Sequence, residues 1–304
     1  NEWIDYSQSY YSFKVSKTGV HKLDYNALVN AGIPTSLFTS ENIQVFGRQK
    51  EIPIHIVDGG DNSMDTTDYI LFYAEKNDGW LDSTLYDDPT TIGNPSYSLY
   101  NDTIQYFFTW NNQTNNLRFI IENDINYAAI AVPASYWFSK VETSYNTFYV
   151  ECKDANNISS SSKFMPGEGW SSNHVNGKNG YTFNLVAATP NPFIGINAPP
   201  AEFHGISVSN SNAWNTVVPG GNNHNFTWKI GTLNNVLHDE QFVGYQQKNI
   251  QVPFPSTFLV NGNTPLKYTI NANTEYASDF QAISYWSVTY PKLTTLSGSN
   301  KARY

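Results

Sequence analysis

The residues best suited to chemistry lie in an acidic loop, DGGDNSMDTTD, at positions 58–68. Asp58, Asp61 and Asp65 bring three carboxylates close together in the sequence, and the two glycines after Asp58 let the backbone bend sharply. Hard cations such as Ca²⁺ prefer carboxylate and amide oxygens, so these three side chains are candidate calcium ligands, although their spacing does not match an EF-hand loop. The alternative is that the aspartates only cap turns, as Asp and Asn do in many loops.

Two tryptophans in loops of small polar residues suggest a second kind of site. Trp170 lies in GEGWSS and Trp214 lies in SNAWNT. An indole ring held among such residues can stack on a sugar, and lectin domains are among the proteins built as jelly rolls. The alternative is that each ring anchors its loop to the core, because tryptophan is highly buried on average. The sequence leaves both interpretations open.

Cysteine and histidine chemistry is sparse. Cys152 is the single cysteine, and it alternates with Phe148 and Val150, so we expect it to point into a core as an inert thiol. No two of the six histidines show the i, i+4 spacing that builds a zinc site on one element. His204 and His224 fall in register with strand residues, which predicts hydrogen-bonded histidines at the edge of a sheet. No nucleophile elbow or phosphate-binding glycine loop occurs, and we assign no catalytic residue.

Composition is typical of a β-rich protein with a polar, weakly charged surface. Of the 304 residues, 15% are aromatic and only 14% are charged. Aromatic residues favour strands. The net charge of −9 argues against nucleic acid and anionic membranes as partners, since both require a basic surface. No apolar run approaches the roughly 20 residues that a membrane-spanning helix needs.

The elements expected to position these groups in the first half of the chain are short strands and one helix. We expect the helix from Asp24 to about Ala31, because Asp24 can cap its N-terminus and Gly32 and Pro34 follow its end. The run at 69–74 has no polar side, which predicts a central strand covered on both faces. The predicted strands are 11–15, 43–46, 52–57, 69–74, 97–99, 106–110 and 117–121.

The second half of the chain is predicted to form a separate β-sandwich. Weak periodicity and a proline at 128–133 predict a boundary, with a β-sandwich-like domain at 1–130 and a second, jelly-roll-like sandwich at 131–304. The fold class is therefore all-β with minor α content. The predicted strands beyond the boundary are 148–152, 181–187, 204–208, 226–230, 250–254, 266–270 and 283–290.

A series of phrases runs through the chain in the order YYSFKVSKTGVHKLDYNALVNAGI, NIQVFGRQKEIPI, DNSMDTTDYILFYAEKNDGWLD, SKFMPGEGW, FVGYQ and ISYWSVTYPK. Together these phrases resemble the region that precedes the peptidase domain in gingipain-type cysteine peptidases. Within that family, the phrases resemble the PorU-like sortases of the type IX secretion system in Bacteroidetes. No single phrase is a catalytic signature, so the resemblance depends on the series.

In that family a cysteine nucleophile and a histidine lie in the downstream peptidase domain, and no active residue carries over to a position of this sequence. The resemblance implies a non-catalytic β-rich scaffold or docking region of a secreted or outer-membrane-associated surface protein, whose parent is a gingipain-type peptidase. The implied partners are that peptidase domain, secreted protein substrates and secretion-system components. The rival hypothesis, based on Trp170 and Trp214, is a carbohydrate-binding module or adhesin.

Overall fold

The protein is described by a computed structural model over residues 2–120, 135–151, 164–209 and 221–294. The chain forms two compact units. One consists of Asn1–Asp78 with Tyr100–Tyr127, and the other of Gly79–Leu99 with Ala128–Tyr304. The second unit thus includes a segment from the first third of the sequence, which a boundary at a single position does not capture. No helix in the described ranges has the length and apolar character needed to cross a membrane.

The first unit is a sandwich of two antiparallel sheets with one short helix. One sheet has the strand order β1-β7-β3-β4, and the other has the order β2-β6-β5. The helix α1 spans Tyr25–Asn30, and the side chain of Asp24 accepts a hydrogen bond from the backbone of Ala27 at 2.9 Å, which confirms the predicted N-cap. The strands are β1 (Tyr11–Val15), β2 (Gly19–Asp24), β3 (Ile43–Gly47), β4 (Lys50–Ile52), β5 (Ile54–Val57), β6 (Tyr69–Ala74) and β7 (Ile104–Trp110). Short 3-10 turns lie at Thr35–Leu37 and Ser40–Asn42.

The core of the first unit lies between its two sheets. Val45 and Phe108 contribute from one sheet, Ile70 and Phe72 from the other, and Leu28 from α1, all of them buried. Burying this apolar surface is the main source of stability for the unit.

Four strand predictions between residues 52 and 121 are corrected. The predicted strand 52–57 breaks at Pro53, which has no N–H for a ladder; β4 pairs with β3, whereas β5 pairs with β6 in the other sheet. Strand β6 alternates between buried and partly exposed residues instead of being covered on both faces, and Tyr73 is 50% exposed. No strand forms at 97–99, and the described part of 117–121 makes only an isolated bridge between Ile54 and Arg118.

The second unit is a jelly roll. One sheet has the order β12-β17-β14-β15, and the other has the order β11-β18-β13-β16 with β8 also paired to β18. The chain crosses repeatedly between the two sheets from β12 to β18, as it does in a jelly roll, and the two packed sheets confirm the predicted sandwich architecture. The strands are β8 (Tyr136–Ser144), β9 (Phe148–Val150), β10 (Gly169–Ser171), β11 (Val175–Asn176), β12 (Tyr181–Thr189), β13 (Ala201–Ser209), β14 (His224–Ile230), β15 (Asn235–Phe242), β16 (Gln247–Phe254), β17 (Gly262–Ile270) and β18 (Phe280–Leu293). Additional 3-10 turns lie at Asp82–Leu85, Pro89–Thr91 and Ser256–Phe258.

Aromatic rings dominate the core of the jelly roll. The centroid of Trp228 lies 4.9 Å from that of Phe203, which belongs to the facing sheet, and 4.7 Å from that of Tyr268. All three side chains are fully buried. Tilted rings at these separations add to the stabilisation that area burial supplies.

Candidate functional site

The acidic loop is built from three successive side-chain turns. Oδ1 of Asp58 accepts a hydrogen bond from the backbone N–H of Gly60 at 3.0 Å, and Oδ2 accepts one from Ser40. Asp61 likewise accepts from the backbone and hydroxyl of Ser63 at 3.0 and 2.9 Å, and both bonds hold the pKa of Asp61 below its usual value. These contacts match the turn-capping alternative, in which Asp oxygens bond the backbone two residues ahead.

Asp65 repeats the same pattern at the end of the loop. Its Oδ1 accepts from the backbone N–H of Thr67 at 3.1 Å, while its own N–H donates to Asp68 at 2.6 Å. In the part of the chain that the structure describes, no group of three or more His, Cys, Asp or Glu side chains is arranged to hold a metal ion. Calcium binding by Asp58, Asp61 and Asp65 therefore stays a prediction.

Trp170 lies in β10 as a half-buried ring. Its indole N–H donates to the backbone oxygen of Ser98 at 2.9 Å, and its ring meets Tyr149 edge to face at 5.3 Å. Both contacts tie the indole to its own unit, as the loop-anchor alternative predicts. The other candidate, Trp214, and the single cysteine, Cys152, lie outside the described residues.

The two histidines predicted at sheet edges occupy inner strands. His204 in β13 shares a hydrogen bond with Asn249 at 2.8 Å. His224, at the start of β14, is fully buried, and its Nδ1 lies 2.7 Å from Oδ1 of Asp279. The expected hydrogen bonds are present, but the edge placement is wrong because β13 and β14 each have a partner strand on both sides.

The buried histidine belongs to a polar chain in the jelly-roll interior. Nε2 of Gln281 donates to Asp279 at 2.8 Å, and the hydroxyl of Tyr268 donates to Oε1 of Gln281. Burial raises the pKa of Tyr268, which keeps the phenol a neutral donor. A histidine beside an aspartate can serve in catalysis, but all four side chains are fully buried, so no substrate can reach them. These four hydrogen-bonded side chains have a structural role, and no local sequence signal predicted their contact.

His174, in the loop between β10 and β11, is a partly buried histidine whose two ring nitrogens are both buried. Neither ring nitrogen has a hydrogen-bond partner among the described residues, and the ring centroid lies 5.0 Å from that of Phe148. Burial disfavours the charged imidazolium and lowers the pKa of His174 to about 4. The side chain is therefore neutral at physiological pH.

The turn between β3 and β4 is held in a strained conformation by ion pairs. Arg48 and Gln49 have φ angles of 49° and 65°, the left-handed region that a two-residue hairpin turn of this type demands and that glycine or asparagine usually supplies. The guanidinium of Arg48 contacts Glu75 at 3.2 Å and Asp78 at 3.0 Å. These pairs hold the turn against the segment that follows β6, and the sequence did not predict them.

Strand β8 forms an edge of the jelly roll. It pairs antiparallel with β18 along all nine residues, and no strand in the described ranges pairs with its other side. The strand is longer than the usual five or six residues. A strand of this kind presents a row of backbone donors and acceptors.

The direction of the backbone groups on β8 follows from one hydrogen bond. The N–H of Tyr145, just after the strand, donates to the oxygen of Ser284 in β18 at 2.9 Å. Successive residues direct their N–H and C=O groups to opposite sides of a strand. The backbone groups of Phe138, Lys140 and Glu142 therefore point away from β18.

The middle of this edge carries a fixed pair of charges. The ammonium group of Lys140 lies 2.6 Å from Oε2 of Glu142, and the hydroxyl of Tyr285 donates to the same oxygen at 2.6 Å. Partial burial acts to raise the pKa of Glu142, but the hydrogen bonds from Lys140 and Tyr285 outweigh it and leave the pKa below its ordinary value. The carboxylate is therefore ionised at neutral pH.

The start of β8 carries an aromatic patch. The rings of Tyr136 and Phe193 stack with centroids 5.1 Å apart, and Phe138 meets Tyr136 edge to face at 5.8 Å. Phe138 is 51% exposed and Ile194 is 44% exposed. We call Tyr136, Phe138 and Phe193 the aromatic patch.

Comparison with known proteins gives structural likenesses only. No family model and no curated protein matches the sequence. Dimeric latent PorU from Porphyromonas gingivalis is similar over 95% of this chain and 25% of its own, at 12% identity and a TM-score of 0.47. This chain thus spans about a quarter of that structure's length.

Two carbohydrate-binding modules are similar over about half of the chain. The CBM36-1 domain of a multidomain xylanase from the hindgut metagenome of Trinervitermes trinervoides matches 50% of this chain and 95% of its own, at 11% identity and a TM-score of 0.26. A CBM36 module in complex with calcium and xylotriose matches 49% of this chain and 98% of its own, at 12% identity and a TM-score of 0.24. These likenesses do not assign a function to the chain.

Proposed function

We propose that this chain is a non-catalytic docking module that binds an extended segment of another polypeptide along the open edge of β8. The observation that carries the proposal is the row of outward backbone groups at Phe138, Lys140 and Glu142. A segment that adds to this edge forms main-chain hydrogen bonds for affinity, and its alternate side chains supply specificity. This role requires no catalytic residue in the chain.

The side chains along the edge define the kind of segment that fits. Phe138, Lys140 and Glu142 share the outer face of the sheet, whereas Val141 between them packs against the core. A partner residue beside Phe138 would be apolar, because it would cover the aromatic patch. Partner residues beside Lys140 and Glu142 would be polar or charged, since they would lie next to one positive and one negative side chain.

The family resemblance suggests where such a segment would come from. In gingipain-type proteins the corresponding region precedes a peptidase domain, so the segment would belong to that domain, to a secreted protein substrate or to a component of the secretion machinery. The module would then act at the cell surface or in a secreted protein. It would hold and orient polypeptide for chemistry performed by other residues.

The experiment compares two substitutions at one position of the edge. Lys140→Pro removes an outward N–H without removing a hydrogen bond to β18, and proline is tolerated on edge strands. Lys140→Ala keeps the N–H and removes the side chain beyond Cβ, including its charge. Peptides selected from a displayed library of random decapeptides against the full chain are titrated into each variant. We expect affinity at least about tenfold weaker for Lys140→Pro than for Lys140→Ala.

Hydrogen exchange on the unaltered chain provides an independent readout. Bound peptide should slow exchange of the amides of Phe138, Lys140 and Glu142 and leave the amide of Val141 unchanged, since that amide already faces β18. Equal affinity of both variants, or protection elsewhere in the chain, would refute the proposal. Selection of no peptide, together with binding on a glycan array, would favour the carbohydrate-binding rival.

A further inference from the structure

A cleft of about 470 Å³ lies at the surface of the first unit. One wall is the segment before β1, which contributes Asp5, Ser7 and Ser9. The other is the loop after β7, which contributes Asn112 and Gln113. Trp110, at the end of β7, also lines the cleft. The volume is within the range of about 300–1,000 Å³ that is usual for small-molecule sites.

The first wall is fixed by hydrogen bonds. The backbone N–H of Asp5 donates to the hydroxyl of Tyr10 at 2.9 Å, and the hydroxyl of Thr109 in β7 donates to the oxygen of Ser9 at 2.8 Å. The hydroxyl and backbone N–H of Ser7 donate to Oδ1 of Asp5 at 2.7 and 2.9 Å, and these bonds lower the pKa of Asp5. The carboxylate is therefore ionised and held in one orientation.

The second wall is equally well ordered. Asn111 donates to the side chain of Asn116 at 2.9 Å and accepts from the backbone of Gln113 at 2.9 Å, while Asn42 donates to the oxygen of Gln113 at 3.1 Å. These bonds fix the loop backbone, and they do not use the side-chain amides of Asn112 and Gln113. Among the described residues, no hydrogen bond uses the side-chain amide of Asn112 or Gln113, and both side chains are exposed.

The indole of Trp110 is held by two aromatic neighbours. The centroid of Trp110 lies 4.7 Å from that of Phe38, and its ring stacks on Tyr11 at 5.9 Å with an interplanar angle of 22°. Trp110 is half-buried, so part of its ring faces the cleft. It forms an apolar platform that loses little entropy when a ligand covers it.

The polar groups around this platform select the class of ligand. None of the residues that line the cleft is Lys or Arg, and the single charge is the carboxylate of Asp5, which disfavours an anion. Neutral amides and hydroxyls beside an aromatic ring match a molecule with many hydroxyl groups and apolar C–H faces. We infer that this cleft binds an uncharged saccharide, with a sugar ring over Trp110 and its hydroxyls bonded to Asn112, Gln113 and Asp5.

This site differs from the one that the sequence suggested at Trp170 and Trp214. It is independent of peptide docking at β8, because its residues belong to the first unit. The aromatic ring comes from the end of a strand, and the amides come from the polar NNQTNN loop.

The test uses the full chain and a printed array of neutral and acidic oligosaccharides, followed by calorimetric titration of the saccharide that binds best. Asn112→Ala and Gln113→Ala each remove one amide from the rim and leave the hydrogen-bonded backbone of the loop intact. Asn115→Ala changes an exposed amide of the same loop that does not line the cleft and serves as the matched control. We expect Kd to rise by about tenfold in each of the first two variants and to stay unchanged in the control.

Several results would overturn the inference. These are no saccharide binding at millimolar ligand, a preference for acidic glycans, or unchanged affinity in both Asn112→Ala and Gln113→Ala. Binding that is lost in Trp170→Phe and kept in the cleft variants would also overturn it. Thermal melting of each variant confirms that a change in affinity does not reflect unfolding.

Discussion

Nδ1 of His224 lies 2.7 Å from Oδ1 of Asp279, and neither side chain exposes any surface. His224 begins β14 in one sheet of the jelly roll, whereas Asp279 immediately precedes β18 in the other. The contact therefore joins the two facing sheets by a polar interaction beside a core of aromatic and aliphatic side chains. Groups so placed stabilise a fold only while each keeps its partner.

We expect Asp279→Ala to lower the free energy of unfolding by about 3 kcal/mol, because it leaves His224 and Gln281 buried without their shared acceptor. Urea unfolding followed by tryptophan fluorescence measures the change. Asp279→Asn keeps an acceptor oxygen and should cost less. Asp61→Asn, at an exposed position, is the control for loss of a carboxylate. A midpoint for Asp279→Ala equal to that of the unaltered protein would contradict the prediction.

Stability should fall in mild acid because of His174. Its pKa is about 4 in the folded protein, whereas an unfolded histidine titrates near 6.5. Between these values the unfolded state binds more protons, so stability is fully present above pH 6.5 and is lost as the pH falls towards 4. The loss attributable to this residue is at most about 3 kcal/mol.

His174→Phe removes the titrating group and should flatten the stability profile between pH 6.5 and pH 4, the folded-state value. His204→Gln, a substitution of a hydrogen-bonded histidine, should retain the loss due to His174. Thermal melting at a series of pH values checks both variants. An identical slope in His174→Phe and the unaltered protein would show that other groups cause the acid sensitivity.

Gly47 is required by the close approach of an aromatic ring. A Cβ atom at this position would lie 2.0 Å from Cε1 and 2.5 Å from Cδ1 of Tyr106. That ring cannot retreat freely, since its hydroxyl accepts from the backbone N–H of Glu75 at 2.9 Å. We expect Gly47→Ala to cost about 2–3 kcal/mol of unfolding free energy. Gly195→Ala, where a Cβ meets no atom within 4 Å, is the control, and equal melting temperatures would contradict the prediction.

Calcium binding by the acidic loop has a direct thermal test. If Asp58, Asp61 and Asp65 hold Ca²⁺, adding the ion after EGTA treatment raises Tm, because a ligand that binds only the folded state stabilises it. At a ligand concentration about 100 times Kd the gain is about 2.7 kcal/mol. The Asp61→Asn/Asp65→Asn double variant should lose the shift. A Tm that does not respond to Ca²⁺ would leave the aspartates as turn caps alone.

Where the sequence prediction of strands failed, long-range pairing decided the outcome. The apolar alternation at 52–57 reads as one strand, yet Pro53 divides it between two sheets whose other members lie elsewhere in the chain. The edge strands β8 and β15 received no prediction because they carry charged residues such as Lys140, Glu142 and Asp239. Charges on an edge strand break the apolar pattern and also protect it from unwanted pairing.

The candidate sites also divide into those that local sequence predicted and those that depend on contacts between distant residues. Asp58, Asp61 and Asp65 lie in one loop, as their spacing in the sequence indicated. Each carboxylate accepts a hydrogen bond from the backbone N–H two residues ahead, which is usual for aspartate in turns. The partner of Trp170 is Ser98, which lies 72 positions earlier, so its role as an anchor was beyond local inspection. The cleft at Trp110 likewise joins two segments about 100 residues apart.

The sequence alone determined that the chain is all-β with one capped helix and a jelly roll in its second half, because side-chain alternation and turn residues act over a few positions. Only the tertiary structure decided which strand edges stay open, which histidine is buried against Asp279 and which polar groups surround Trp110. These outcomes depend on pairing between strands far apart in the chain. Many pairings satisfy the same local pattern, and the choice between them rests on how the buried surfaces and hydrogen bonds of the whole unit are satisfied together.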